Sequence, residues 1–131
     1  MARKRRILII EDNETLRDSL KRALAKKGYE VLATGSAEEG LGMVLGHLFD
    51  IILVDLKLPR NDGDSFIRQI RQIGCRSEVV MMTGFGDANL AEAMAAIGAR
   101  ATVIKEADFF DKILATVEAI LVRPAMAETA T

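Results

Sequence analysis

The sequence is poor in residues that cross-link or interrupt a chain: it has one cysteine and two prolines in 131 residues. A single cysteine, Cys75, excludes an internal disulfide and is typical of a protein from a reducing compartment. Cys75 lies in a predicted turn with no nucleophile partner nearby, and we assign it no role. The single histidine, His47, lies on a predicted helix and is interpreted as a surface residue.

The chain also lacks a long apolar run and an excess of positive charge. No run approaches the ~20 apolar residues that a membrane span requires, and the start lacks the apolar stretch of a signal peptide. We therefore expect a cytoplasmic protein that makes no membrane contact. A net charge of -1 gives no general attraction to nucleic acid. The basic cluster at residues 3–6 is interpreted as a solvated flank, so we expect no direct nucleic-acid binding by this domain.

What is present is the composition of a folded domain, since 50% of the residues are hydrophobic and 28% are charged. A chain of this length can form one domain with a hydrophobic core, whereas a second domain would be cramped. We predict one domain over residues 1–123. Pro124 is expected to end the last helix, which leaves residues 124–131 as a flexible C-terminal tail or the stub of a linker.

Short β-rich segments alternate with helical patterns along the whole chain, which is typical of βαβ units and a parallel sheet. Glycines follow three of the helical patterns and are the usual residues at helix ends. The five predicted strands span residues 6–10, 29–33, 50–55, 78–82 and 100–104. The first and third are continuously apolar and are predicted to be central, while the second alternates and is predicted to be an edge.

This pattern predicts an α/β, flavodoxin-like (βα)5 fold: a doubly wound parallel sheet with the strand order 2-1-3-4-5. Right-handed crossovers place the carboxyl ends of all five strands on one face. Glu11 and Asp12 follow the first strand, and Asp55 ends the third. If these strands are neighbours, three carboxylates converge. Like charges this close raise one another's pKa and are usually kept ionised by a cation, and an all-oxygen cluster suits Mg²⁺.

Two further polar residues stand at strand ends on the same predicted face. Thr83 follows the fourth strand and offers a hydroxyl, and Lys105 follows the fifth and offers a positive charge. A carboxylate such as that of Asp55 can act as a nucleophile and form an aspartyl phosphate. A metal, a lysine and hydroxyl donors would neutralise the charge on a transferring phosphoryl group. Each residue alone is more often a cap or a solvated group, but their joint occurrence on one face favours phosphoryl chemistry.

The chain resembles the receiver domains of two-component response regulators from Ile7 to about Leu121. The matching pieces are Ile7-Leu8-Ile9-Ile10 before Glu11-Asp12, Asp55 with Pro59 and Gly63 downstream, Met82-Thr83-Gly84, and Gly98-Ala99 followed by Lys105. The combination is specific because each piece falls, in order, at the expected strand end.

The resemblance implies that Asp55 accepts a phosphoryl group from a phosphohistidine on a sensor histidine kinase or a phosphotransfer protein. Glu11, Asp12, Asp55 and the backbone carbonyl of Lys57 would hold Mg²⁺, and Thr83 and Lys105 would contact the phosphoryl oxygens. The domain would be no enzyme beyond catalysing its own phosphorylation and dephosphorylation. It would switch a face built from the fourth helix, fifth strand and fifth helix, which an output domain, a downstream protein or a second copy of the chain could bind.

Two positions depart from the pattern of the family. Receivers usually have an aromatic switch residue three positions before the lysine, where this chain has Thr102, so the usual coupling is in doubt. Proline usually follows the lysine, often after a cis peptide, whereas this chain has Glu106. A cis bond before a non-proline residue costs about 2.5–4 kcal/mol, so we predict a trans bond and a rearranged loop. Glu106 could also compete for Lys105 when Asp55 is unphosphorylated.

Two alternative functions remain open. The first is a scaffold that keeps the receiver fold but no longer uses phosphate, with Thr102 and Glu106 as signs of drift. The second is a Mg²⁺-dependent phosphohydrolase resembling the haloacid dehalogenase type. Such enzymes need a second acid two residues after the nucleophile, and this chain has Lys57 there.

Overall fold

The computed structural model describes residues 3–59, 62–86 and 88–130. Five strands alternate with five helices over this part of the chain. The strands are β1 (Arg6–Ile10), β2 (Glu30–Thr34), β3 (Ile51–Asp55), β4 (Glu78–Thr83) and β5 (Ala101–Ile104). The helices are α1 (Glu14–Lys26), α2 (Ala37–Gly46), α3 (Gly63–Gln72), α4 (Ala88–Ala96) and α5 (Phe109–Ala130).

The five strands form one parallel sheet in the order β2-β1-β3-β4-β5, so the predicted flavodoxin-like topology is confirmed. Every residue of β3 is buried, and β1 is buried from Ile7 onward. Strands covered on both faces bury side chains of both orientations, which explains their unbroken apolar sequences. The edge position of β2 agrees with its mixed burial.

Helices cover both faces of the sheet and divide the core in two. Alternate residues of β1 belong to different halves: Ile7 and Ile9 pack with α1 and α5, while Leu8 and Ile10 pack with α2, α3 and α4. This alternation follows from the two-residue period of a strand. The sheet is therefore held from both sides, and its carboxyl edge is left free for polar residues.

Local signals at the helix ends agree with the sequence. The Asn13 side chain accepts a hydrogen bond from the Leu16 N–H at 2.9 Å and begins α1. The side chain of Ser36 accepts one from the Glu39 N–H at 3.2 Å and begins α2. The three glycines at Gly28, Gly74 and Gly98 have positive φ angles, which a side chain would disfavour.

The predicted end of the last helix is wrong, because α5 continues through Pro124 to Ala130. Proline in a helix interior removes one N–H from the hydrogen-bond ladder and kinks or breaks the helix, and a kinked helix continues past it. The residues after Pro124 include three alanines, a methionine and a glutamate, all good helix formers. Thr131 lies outside the described residues, and the boundary between domain and tail stays a prediction. Within the described residues, each helix is too short or too polar to cross a membrane.

Candidate functional site

The carboxyl ends of the central strands bring three acidic side chains together. Strands β1 and β3 are paired so that Ile10 lies opposite Val54, which places the next residues, Glu11 and Asp55, side by side. One carboxylate oxygen from each of Glu11, Asp12 and Asp55 lies within 4.8 Å of the others. Glu11 and Asp55 are buried, whereas Asp12 is exposed to solvent.

Lys105 reaches into this acidic cluster from the end of β5. Its Nζ lies 2.8 Å from Glu11 Oε1 and 3.1 Å from Asp55 Oδ2, so one ammonium group bridges two buried carboxylates. The backbone holds the lysine in place, since its N–H donates to the Thr83 carbonyl at 2.7 Å. The structure thus brings together four of the residues that the sequence placed at separate strand ends.

Burial and charge shift the pKa values of the two groups that face each other. Burial raises the pKa of the Glu11 carboxyl, and the negative charge of Asp55 raises it further; the Lys105 and Asn13 hydrogen bonds only partly offset this. Burial lowers the pKa of Lys105, but its hydrogen bonds and charge attraction to Glu11 and Asp55 outweigh burial and raise it. The lysine therefore stays charged at neutral pH.

The loop after β3 wraps closely around the backbone of Asp55. The Lys57 N–H donates to Asp55 Oδ1 at 3.2 Å, which orients the carboxylate. The Gly63 N–H donates to the Leu56 carbonyl at 2.9 Å, so α3 begins directly against this loop. A Cβ at Gly63 would lie 2.6 Å from the Asp55 carbonyl oxygen. Glycine eight residues after the aspartate is therefore required by close packing.

Thr83 ends β4 and is buried. Its Oγ1 accepts a hydrogen bond from the Phe85 N–H at 3.1 Å, which turns the chain away from the strand.

Thr34 also stands at a strand end, but its side chain has a different role. Its hydroxyl donates to Glu39 Oε1 at 3.0 Å, so it belongs to the start of α2 and not to the acidic cluster.

Comparison with known proteins agrees with this arrangement. A sequence model of the response regulator receiver domain matches residues 7–118, which is most of the chain. The chain belongs to the response regulator receiver family. It is 31% identical over 110 residues to the transcriptional regulatory protein PdtaR of Mycobacterium tuberculosis, covering 83% of this chain and 53% of that protein. Receivers are signalling domains of two-component systems.

Solved receiver structures superpose closely on this one. The response regulator receiver domain protein (CheY-like) of Methanospirillum hungatei is 27% identical, with a TM-score of 0.82 over 95% of this chain and 99% of that chain. The response regulator TrrA of Thermotoga maritima, solved in complex with Mg²⁺-BeF, is 23% identical and shares the fold, with a TM-score of 0.78 over 88% of this chain and 98% of that chain. The receiver spans between about a third and about half of the length of the curated relatives it matches.

The two departures from the receiver pattern have different outcomes. The Lys105–Glu106 peptide is trans, as predicted. The predicted competition of Glu106 for Lys105 is wrong, because Glu106 Oε2 lies 3.7 Å from Lys112 Nζ while Lys105 bonds Glu11 and Asp55. The two side chains point in different directions, because Lys105 extends into the carboxyl edge of the sheet, whereas Glu106 turns outward toward α5. Thr102 lies in β5, and its effect on switching stays a prediction.

Sequence reasoning missed one residue of the site, Arg17. Its Nη1 donates to the Glu11 carbonyl oxygen at 3.0 Å, although the two residues are six positions apart. An arginine in the first half of an amphipathic helix looks like an ordinary surface cation. The only available signal was its place one helical turn after Asn13. From that position, a side chain as long as that of arginine can reach back to the loop before the helix.

The donor set of the receiver fits Mg²⁺. Three carboxylates supply the hard oxygen ligands that this ion prefers, and Asp12 is exposed, so the cluster is open to water as Mg²⁺ sites usually are. Burial and like charge act on Glu11, so a divalent cation would relieve unfavourable electrostatics. The side chains that would hold it are those of Glu11, Asp12 and Asp55, and the part of the Lys57 carbonyl stays a prediction.

Proposed function

We propose that this receiver accepts a phosphoryl group onto Asp55 from the phosphohistidine of a sensor histidine kinase or phosphotransfer protein, with Mg²⁺ bound by Glu11, Asp12 and Asp55. The observation that best supports the proposal is the position of the Asp55 carboxylate. It lies at the carboxyl edge of the sheet, with Lys105 Nζ at 3.1 Å and two other acids beside it. A purely structural aspartate would gain from the pair with Lys105 but would be destabilised by the two other acids.

In the proposed transfer, a carboxylate oxygen of Asp55 attacks phosphorus, and the bond from phosphorus to the histidine nitrogen breaks. The electron pair of that bond returns to the imidazole, and an acyl phosphate forms. Lys105 offsets negative charge on the phosphoryl oxygens, and the Thr83 hydroxyl is available as a donor at the neighbouring strand end. Bound Mg²⁺ would supply the positive charge that offsets repulsion between the acids and the incoming phosphoryl group.

Phosphorylation would then act on a partner through the face of α4, β5 and α5. Phe85, in the loop that leads from Thr83 to α4, is 78% exposed, and Phe110 at the start of α5 is partly exposed. Exposed aromatic side chains are typical of binding surfaces. We propose that an output domain, a downstream protein or a second copy of the chain binds there, in the cytoplasm where its kinase would present the phosphohistidine.

The first experiment is intact-mass spectrometry after incubation with acetyl phosphate and MgCl₂. We expect one phosphoryl adduct on the wild type, and no adduct on Asp55→Asn or in the presence of EDTA. Asp62→Asn is the matched control, because it is the same chemical change close to the site at a residue that makes no side-chain cap to α3. This control should be phosphorylated like the wild type.

The outcomes separate the proposal from the alternatives. An adduct that persists in Asp55→Asn would move the phosphoacceptor elsewhere. No adduct on a folded wild type, from either acetyl phosphate or a phosphorylated phosphotransfer protein, would overturn the proposal and favour a phosphate-independent scaffold. Continuous turnover of p-nitrophenyl phosphate that depends on Asp55 would instead favour the phosphohydrolase.

A further inference from the structure

Arg17 holds the backbone that presents two of the acids. Its guanidinium Nη1 donates to the Glu11 carbonyl oxygen at 3.0 Å. That carbonyl belongs to the peptide unit joining Glu11 to Asp12, so the bond restrains the orientation of the whole unit. On its other side, the Glu11 N–H donates to the Thr34 carbonyl at 3.0 Å. The Glu11 backbone is thus held at both ends, once by β2 and once by Arg17.

The loop after β2 passes close to the guanidinium of Arg17 at Gly35. A Cβ at Gly35 would lie 2.9 Å from Arg17 Nη1 and 3.8 Å from the Glu11 carbonyl oxygen. Gly35 does not have a positive φ angle, so the backbone itself would accept alanine. A methyl group at residue 35 would therefore displace the guanidinium from its present position. Arg17 is half-buried, whereas Lys21, one turn later on α1, is exposed.

We propose that Arg17, seated against Gly35, is a positioning residue for Mg²⁺ binding: it fixes the Glu11–Asp12 peptide so that both carboxylates face Asp55. This inference rests on the proposed function and deepens it. Hydrogen-bond partners that orient metal ligands typically change metal affinity by about 10–100-fold when removed. Arg17 would act in this way through the backbone, without touching the metal or the phosphoryl group.

The sign of the effect distinguishes positioning from simple charge. Arg17 is a cation close to a cation-binding site, so its charge alone opposes Mg²⁺ binding. If charge were its only influence, Arg17→Met would bind Mg²⁺ more tightly. If Arg17 positions the loop, Arg17→Met binds Mg²⁺ more weakly although a repelling charge is gone. We expect affinity to fall about tenfold.

The test is Mg²⁺ titration by isothermal calorimetry on four variants of the full chain, each checked for folding by urea denaturation. Arg17→Met should bind about tenfold more weakly. Arg17→Lys keeps the charge but not the forked guanidinium, and should also bind more weakly. Gly35→Ala keeps every charge and displaces the guanidinium, and should weaken binding too. Lys21→Met is the control for loss of charge on α1, and its affinity should be unchanged or slightly higher.

A second readout follows the loop without metal. In ¹H–¹⁵N spectra recorded in EDTA, Arg17→Met and Gly35→Ala should shift the Asp12 amide, and Lys21→Met should not. Wild-type affinity retained in folded Arg17→Met and Gly35→Ala would overturn the positioning role while leaving the proposed function intact. A wild type that binds no Mg²⁺ would overturn both. If Arg17→Met does not fold, Gly35→Ala and Arg17→Lys decide the question alone.

Discussion

At the scale of single residues, the site is defined by an imbalance of charge. Three carboxylates lie within 4.8 Å of one another, and one lysine bridges two of them. Because Glu11 and Asp55 are buried, water screens their repulsion poorly. The clustered carboxylates therefore interact unfavourably at this edge, which is a common property of functional sites.

Asp55→Asn should stabilise the receiver when no divalent cation is present. The substitution removes one negative charge, leaves the Glu11–Lys105 pair, and keeps an oxygen that can accept the Lys57 N–H. We expect the free energy of unfolding in urea with EDTA to rise by on the order of 1 kcal/mol. The gain should shrink when MgCl₂ is added, because the wild type then gains binding energy that the variant lacks.

The matched control is Asp62→Asn. MgCl₂ should stabilise this variant as much as it stabilises the wild type, so the difference between their free energies of unfolding should not change. A loss of stability in Asp55→Asn would mean that attraction between Lys105 and Asp55 exceeds the repulsion among the acids.

Gly63 is a second residue whose identity follows from close packing. In Gly63→Ala, the added methyl group would meet the Asp55 carbonyl oxygen at 2.6 Å and Met81 Cε at 2.9 Å. Because the first of these is backbone, α3 must shift, and we expect a loss of about 1–3 kcal/mol in the free energy of unfolding. Phosphorylation by acetyl phosphate should slow as well, since the loop that orients Asp55 moves with α3.

Gly42→Ala provides the comparison, because a Cβ there meets nothing within 4 Å and the residue lies inside α2. It should raise the stability by about 0.5–1 kcal/mol and leave phosphorylation unchanged. Equal stability of the Gly63→Ala variant and the wild type would show that α3 yields to the methyl group without cost.

At the scale of elements, Asp50 ties the amino-terminal end of β1 to β3. Its Oδ2 accepts the Arg6 N–H at 2.8 Å, and its carboxylate pairs with Arg3 at 2.9 Å and Arg5 at 3.6 Å. Partial burial raises the pKa of Asp50, but the hydrogen bonds and charges of these arginines outweigh burial and lower it below its usual range. The basic cluster at residues 3–6 thus has a structural role beyond a solvated flank.

A lowered pKa gives Asp50 a defined pH dependence. Its contribution to stability is present above the unfolded pKa of about 3.9 and is lost as the pH falls through the lower folded value. Asp50→Asn should be less stable than the wild type by about 1 kcal/mol at pH 7, and this difference should shrink below about pH 4. Urea denaturation from pH 3 to pH 7 measures it.

The salt dependence of stability is the control for the ion pairs between Asp50 and the arginines. Arg3 is largely exposed, so raising the ionic strength should reduce the difference at pH 7. A difference that is independent of both pH and salt would show that the charge of Asp50 does not carry its effect.

The sequence predicted the type and order of every strand and helix because each has a strong local pattern. The apolar runs of β1 and β3 and the glycines after three helices are short-range signals. The end of α5 was predicted wrongly for a local reason as well. Pro124 is a strong signal when taken alone, but the helix formers after it let the helix continue.

At the scale of the whole molecule, the first part of α5 contributes side chains to the core. The side chains that it buries in the core are Phe109, Ile113, Val117, Ile120 and Leu121. These pack with α1 and the central strands on one face of the sheet. The predicted domain boundary at residue 123 lies shortly after Leu121 and stays a prediction.

Deletion of residues 124–131 should leave the receiver folded, with a free energy of unfolding within about 0.5 kcal/mol of the wild type. Far-UV circular dichroism should show a small loss of helix, and phosphorylation on Asp55 should be unchanged. A larger loss of stability would place the domain boundary beyond residue 123.

The sequence by itself determined the α/β class, the strand order and the strand ends at which Glu11, Asp12, Asp55, Thr83 and Lys105 stand. These features follow from hydrophobic period and chain connectivity, which are local or topological. Only the tertiary structure decided which side chains meet: that Lys105 bonds Glu11 and Asp55 while Glu106 turns to Lys112, and that Arg17 reaches the Glu11 carbonyl. Long side chains have many rotamers, and packing between elements distant in sequence selects among them.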